Sequence, residues 1–97
     1  MTEIIITKSA NKNKKFDARI DGEKTVSFGA AGMSDYRIHK DPERKQRYLK
    51  RHSKNEDWSD HTTAGFMSKN LLWNKKTLTE SIQDTNKRFK NINIKLK

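Results

Sequence analysis

No cysteine occurs among the 97 residues, which excludes disulfide staples, thiolate zinc sites and cysteine nucleophiles. The absence also fits a reducing compartment. Proline appears once, at Pro42. Long apolar runs are missing as well. Near the start only Ile4-Ile5-Ile6 stands together, behind Glu3. That is too short for the core of a signal peptide and far short of the ~20 residues that span a bilayer. The expectation is a chain with no signal peptide and no membrane span, soluble inside a cell or packed in a particle assembled there.

Acidic residues are scarce: 12 Asp and Glu face 22 Lys and Arg, for a net charge of +10 and a pI near 10.0. Hydrophobic residues make up 31% of the chain, so only a small core can be buried and the stability margin should be thin or borrowed from a partner. The length suits one small domain over residues 1–97. The charge is uneven. Residues 61–97 hold eight basic and two acidic side chains, which is more than half of the net charge. A balance this basic points to anionic partners.

The apolar residues are patterned. Glu3 to Thr7 is β-branched and reads as a short strand, followed by a polar loop from Lys8 to Lys15. Phe16, Ala18 and Ile20 then alternate with Asp17 and Arg19, and Val26 and Phe28 alternate in Lys24 to Gly29. The turn between these runs fixes their register. A two-residue turn would set Asp17 opposite Val26 and mix the faces. A three-residue loop of Asp21, Gly22 and Glu23 sets Ile20 opposite Lys24, Ala18 opposite Val26 and Phe16 opposite Phe28, which keeps one face apolar. Gly22 or Glu23 should then take the left-handed position. Gly29-Ala30-Ala31-Gly32 has neither Walker nor dinucleotide spacing and reads as a strand exit rather than a phosphate cradle.

Residues 33–40 look irregular or extended. Asp41-Pro42-Glu43 is a helix start, with Asp41 as cap and Pro42 in the first position. A polar connector holding Trp58 spans residues 54–62. Thr63 to Trp73 is apolar on several sides and reads as a short buried helix. Thr77-Leu78-Thr79-Glu80 is a capping box, with Leu78, Ile82, Thr85 and Phe89 at helical spacing behind it. Asn91 to Lys97 alternates again and reads as a strand. The expected fold is α+β: an N-terminal antiparallel hairpin or three-stranded sheet, three short helices and a C-terminal strand, all in one antiparallel sheet.

Six of the eleven residues from Arg44 to Lys54 are Lys or Arg, and none is acidic. At about 100° per residue the run splits into two faces. Tyr48, Leu49, His52 and the stem of Lys45 share one. Arg44, Arg47, Lys50, Arg51 and Lys54 share the other and form the candidate binding face, with Lys87 and Arg88 as further cations near the C-terminal end. Three of the five are arginines, whose fork suits phosphate and carboxylate.

Catalysis has little to stand on. Asp35, His39 and Asp41 are close in sequence but lack the converging ligands of a metal site, and His39, His52 and His61 lack zinc spacing. No Ser or Thr sits in a nucleophile elbow. Tyr36, Tyr48, Trp58, Phe66 and Trp73 are interleaved with cations, as in proteins that stack single-stranded bases. In a chain this poor in aliphatics they are expected in the core instead. No catalytic residue, metal, cofactor or small-molecule substrate is expected.

Several blocks together resemble a known family. They are Lys24-Thr25-Val26-Ser27-Phe28-Gly29-Ala30, Ser34-Asp35-Tyr36, His39-Lys40-Asp41-Pro42-Glu43-Arg44-Lys45, Tyr48 with Arg51-His52, Glu56-Asp57-Trp58, Ala64-Gly65-Phe66 and Leu71-Leu72-Trp73-Asn74. Over about residues 14–97 the chain is similar to an uncharacterised family of small basic proteins encoded by large nucleocytoplasmic DNA viruses and some protists. It departs from that pattern at Met33 and Met67, where aromatic residues are common. The resemblance implies a place in the virion, or in the infected-cell cytoplasm at the virus factory, and carries no functional residues. The expected function is therefore that of a non-enzymatic structural or binding protein, a minor capsid or internal virion component docking on acidic surfaces of capsid proteins. The alternative is a DNA-binding module that organises the genome through its phosphate backbone.

Overall fold

Alternating residues become strands β1 (Thr2–Lys8), β2 (Lys14–Ile20) and β3 (Lys24–Ala30) in the computed structural model, which describes residues 2–32, 35–54 and 58–97. Strand β2 pairs antiparallel with both neighbours, and Ile20, Ala18 and Phe16 stand opposite Lys24, Val26 and Phe28, as the three-residue loop requires. The left-handed positions of that loop are Asp21 (φ 52°) and Gly22 (φ 72°); Glu23 is not one of them. Arg19 ties the loop down by donating to the Gly22 carbonyl at 3.1 Å.

The last strand, β4 (Ile92–Leu96), lies beside β1 and completes a four-stranded sheet in the order β3-β2-β1-β4. It runs parallel to β1, so the sheet is mixed rather than wholly antiparallel. The direction follows from the helix before it, α4 (Leu78–Arg88), which delivers the chain to the end of the sheet where β1 begins. There the Thr2 N–H donates to the Asn91 carbonyl at 3.0 Å, so a strand leaving that point must travel with β1. The capping box of α4 is present, with Thr77 Oγ1 accepting from the Glu80 N–H at 3.2 Å and donating to the Glu80 carboxylate at 3.0 Å.

One face of the sheet is buried. Ile4, Ile6, Ala18, Ile20, Phe28, Ile92 and Ile94 meet Phe66, Met67, Leu71, Leu72 and Ile82 from the helices packed on that face. The segment expected as one buried helix is two pieces: α3 (Ala64–Met67) and a wider π turn over Ser68–Leu72, closed by the Trp73 N–H on the Ser68 carbonyl at 3.1 Å. The side-chain amide of buried Asn70 donates to the Phe66 carbonyl at 3.0 Å, taking the acceptor that an α-helical N–H would have used.

Between the hairpin and the last helices lie α1 (Tyr36–His39) and α2 (Pro42–His52). The single turn α1 corrects the expectation of irregular chain over residues 33–40, of which Met33 and Ser34 lie outside the described residues. It forms because Asp35 caps it, accepting from the Arg37 N–H at 3.0 Å. Asp41 caps α2 by accepting from the Glu43 N–H at 3.0 Å, with Pro42 in the first turn.

Candidate polyanion interface

Helix α2 stands outside the main aliphatic core and is attached by aromatic contacts. Tyr48 is buried, and its ring stacks on Trp73 at 4.3 Å and lies 4.3 Å from the ring of His52. Trp73 in turn packs against the core residues, so it is the bridge between α2 and the rest of the molecule. Leu49 and His52 are half-buried on the same side. Lys45 is also half-buried, its ammonium 2.7 Å from the Asn74 carbonyl and 4.9 Å from the ring of Tyr36. The expected anchoring stripe is therefore the observed one.

Turning that stripe inward turns the cations outward. Arg44, Arg47, Lys50, Arg51 and Lys54 are all exposed. Among the described residues the ion pairs are Lys15 and Arg37 with Asp35, Arg88 with Asp84, and Lys95 with Glu3, and none draws on this row. On α2 the row runs from Arg44 to Arg51, about 10 Å at 1.5 Å per residue, and Lys54 follows in the turn just past the helix end. Charges held this way, with Glu43 in the first turn as the one carboxylate on the helix and no ion pair to the row among the described residues, set up a positive field over one helix face.

Sequence periodicity did not reveal how far the basic surface continues. Lys14 and Arg51 line a common groove between the β2 end of the sheet and α2. Lys14 also borders a broader depression with Lys8, Lys12, Lys15 and Arg37, at the end where β1 turns into β2. The signal was present as Lys8, Lys12, Lys14 and Lys15 in one polar loop, but only the fold brings that loop to Arg51.

The remaining expected cations lie elsewhere. Lys87 is exposed on α4, beside Gln83, Asn86 and Lys90. Arg88 is exposed but engaged by its own chain: its Nε donates to Asp84 at 2.8 Å and its Nη2 to Asn70 at 2.7 Å. Neither joins the row on α2.

The acid and imidazole groups weighed for catalysis have structural work. Asp35 is buried and held by the Lys15 ammonium at 2.6 Å and the Arg37 guanidinium at 3.0 Å. The Asp41 N–H donates to His39 Nδ1 at 3.0 Å, and the His39 ring packs against Tyr36 and Trp73. No group of three metal-ligating side chains occurs among the described residues, and no helix there is long and apolar enough to cross a membrane. Trp58 is half-buried, with the Lys69 ammonium 4.9 Å from its ring centre. Glu56 and Asp57 of the connector lie outside the described residues. Met67 is fully buried in the core, so no aromatic side chain stacks there, and Met33 lies outside the described residues. Gly29 serves packing: a Cβ there would come within 2.7 Å of Leu72 Cδ1.

Residues 4–52 match a family model described as a family of unknown function (DUF5754). The matched segment runs from β1 to the end of α2, and so contains the hairpin, both capping aspartates and most of the basic row. No curated protein and no solved structure matches the chain.

Proposed function

The chain belongs to the DUF5754 family, whose function is unknown, and we propose that it is a non-enzymatic docking protein whose basic surface holds an extended polyanion. The observation that carries this reading is the row of exposed cations, four on α2 and Lys54 just past its end, turned outward by the Tyr48–Trp73 stack and unpaired with carboxylates of the described chain. The non-enzymatic reading is supported by the engagement of Asp35, His39 and Asp41 in caps and ion pairs. The setting we propose, on the block resemblance alone, is the particle of a large DNA virus or the factory that assembles it, with the chain as a minor capsid or internal virion component.

Two partners were expected: acidic surfaces of capsid proteins and the nucleic-acid phosphate backbone. The geometry favours the backbone. The cations of α2 continue through the Lys14–Arg51 groove to Lys8 and Lys12, a track that suits a continuous line of phosphates. Large exposed hydrophobics among the described residues are only Ile38 and Leu96, which offers little of the apolar centre of a protein interface.

The test is a salt titration of duplex DNA binding by fluorescence anisotropy, comparing the wild type with R44E/R47E/R51E. Wild-type affinity should fall steeply and log-linearly with salt, and the triple variant should lose most of it while keeping its thermal transition. Equal DNA binding by the two proteins sinks the reading. If the wild type ignores DNA but binds an acidic polypeptide through the same three arginines, the protein-docking reading takes its place.

A further inference from the structure

A second positive site lies on the inner side of α2, away from the outward row. A cavity of about 180 Å³ opens between α2, the π turn and α4, lined by Lys45, Lys69, Asn70, Trp73, Asn74 and Arg88. At about 30 Å³ of liquid volume per water it has room for a tetrahedral oxyanion and part of its hydration.

Its cations are held in place by the fold. Arg88 is fixed from two sides, Nε on Asp84 and Nη2 on Asn70, which leaves the donors of Nη1 uncommitted. Asn70 cannot swing away, because its side-chain N–H donates to the Phe66 carbonyl at 3.0 Å while its Oδ1 accepts from Arg88. Lys45 is tethered by one bond to the Asn74 carbonyl and keeps two N–H donors. Lys69 sits over the ring of Trp58 and has no hydrogen-bonded acceptor or carboxylate among the described residues. The π turn is what places Lys69, Asn70, Trp73 and Asn74 along one wall, and such turns recur at binding sites.

The charge does not balance. Among the described residues, Lys45, Lys69 and Arg88 meet a single carboxylate, Asp84, which leaves two positive charges in excess there. The lysines register this. Burial pulls the Lys69 ammonium below its ordinary range, and the charges of Arg88 and Lys45 pull it further. Lys45 is lowered by burial and by Lys75, with Asp84 opposing. Two partly buried ammonium groups crowded against a clamped guanidinium cost the free protein stability, which a bound dianion would return.

We infer that this cavity is a binding site for a phosphomonoester-type dianion, held by the free donors of Lys45, Lys69 and Arg88. The shared chemistry is a tetrahedral oxyanion with two negative charges, which free phosphate or a nucleoside monophosphate could supply. The site uses none of the residues of the α2 row, so it stands or falls independently of the polyanion reading.

The test is a titration of the full chain with inorganic phosphate, and in a second arm with a nucleoside 5′-monophosphate, followed by NMR shifts at ionic strength held constant with chloride. The expected result is saturable binding of at least one probe, with tighter binding of the monophosphate marking an ester as the source. K69Q should weaken binding about tenfold or more, K69R should retain most of it, and R47Q should leave it unchanged. K69Q should also melt at or above the wild-type temperature, since it relieves the crowding. The proposal is overturned if neither probe saturates, if K69Q binds like the wild type, if K69R loses as much as K69Q, or if R47Q loses as much as K69Q.

Discussion

Trp73 lies flat on Tyr48, with ring centroids 4.3 Å apart and planes within 2° of parallel. This stack, with the Lys45–Asn74 hydrogen bond beside it, joins a helix with almost no aliphatic anchor to the body of the protein. Tyr48→Ala should therefore do two things at once. It should cost about 3 kcal/mol, the order for emptying a buried aromatic site, and it should loosen α2 before the sheet unfolds. Hydrogen exchange should show α2 amides losing protection while those of β1 and β2 keep theirs.

The acid limb of stability should carry the mark of Asp17. On the open face of the sheet its carboxylate accepts from the Ser27 and Ser9 hydroxyls at 2.6 Å each, and these bonds, Ser27 first, hold its pKa below the ordinary carboxylate value. A carboxyl depressed in the folded state adds stability above its unfolded pKa, near 3.9, and loses that contribution as pH falls through the lower folded value. The wild type should thus weaken more steeply below pH ~4 than Asp17→Asn does. Urea midpoints measured from pH 7 down to pH 2 would show it; parallel curves for the two proteins would refute the assignment.

Gly29→Ala should destabilise by about 1–3 kcal/mol, because both the left-handed backbone and the missing side chain are needed there. Its φ is +78°, and a methyl would press on Leu72 Cδ1 at 2.7 Å and on the Lys15 side chain at 3.3 Å. Thermal denaturation measures this directly. A loss no larger than that of Gly22→Ala, whose methyl meets nothing within 4 Å, would contradict the packing argument.

Single neutralisations along α2 should be graded rather than all-or-none. Arg44→Gln, Arg47→Gln and Arg51→Gln should each weaken binding similarly across DNA sequences and lower the salt slope by about one. A loss confined to one DNA sequence would mean base readout instead of backbone contact.

Much of this fold is legible in the chain. The Asp21-Gly22-Glu23 loop fixes the β2–β3 register because the wrong loop length would bury Asp17. Asp41-Pro42 marks the start of α2, and its apolar stripe reads directly as Tyr48, Leu49 and His52. What escapes the sequence depends on partners far along the chain. The turn α1 needs Asp35, whose burial is tolerable because Arg37 pairs with it locally and Lys15 reaches it across twenty positions of sequence. The direction of β4 needs to know where α4 ends in space. The π turn hinges on one amide, that of Asn70, competing with the backbone. Of the candidate site, the outward row on α2 is visible as helical periodicity. The Lys14–Arg51 groove and the inner cavity are not, since each gathers residues from separate elements. The interruption of an apolar stretch by Lys69-Asn70 was the one hint of the latter.

The parallel pairing of β1 with β4 sets Thr2 beside Ile92 and Ile6 beside Leu96. Two of the core isoleucines, Ile92 and Ile94, therefore arrive on the ribosome after every element they must join. Closing so large a loop is entropically costly and slow, so a nascent chain halted before Ile92 should stay open and protease-sensitive. The basic helix would then be synthesised, and free to meet polyanions, well before the sheet beneath it is complete.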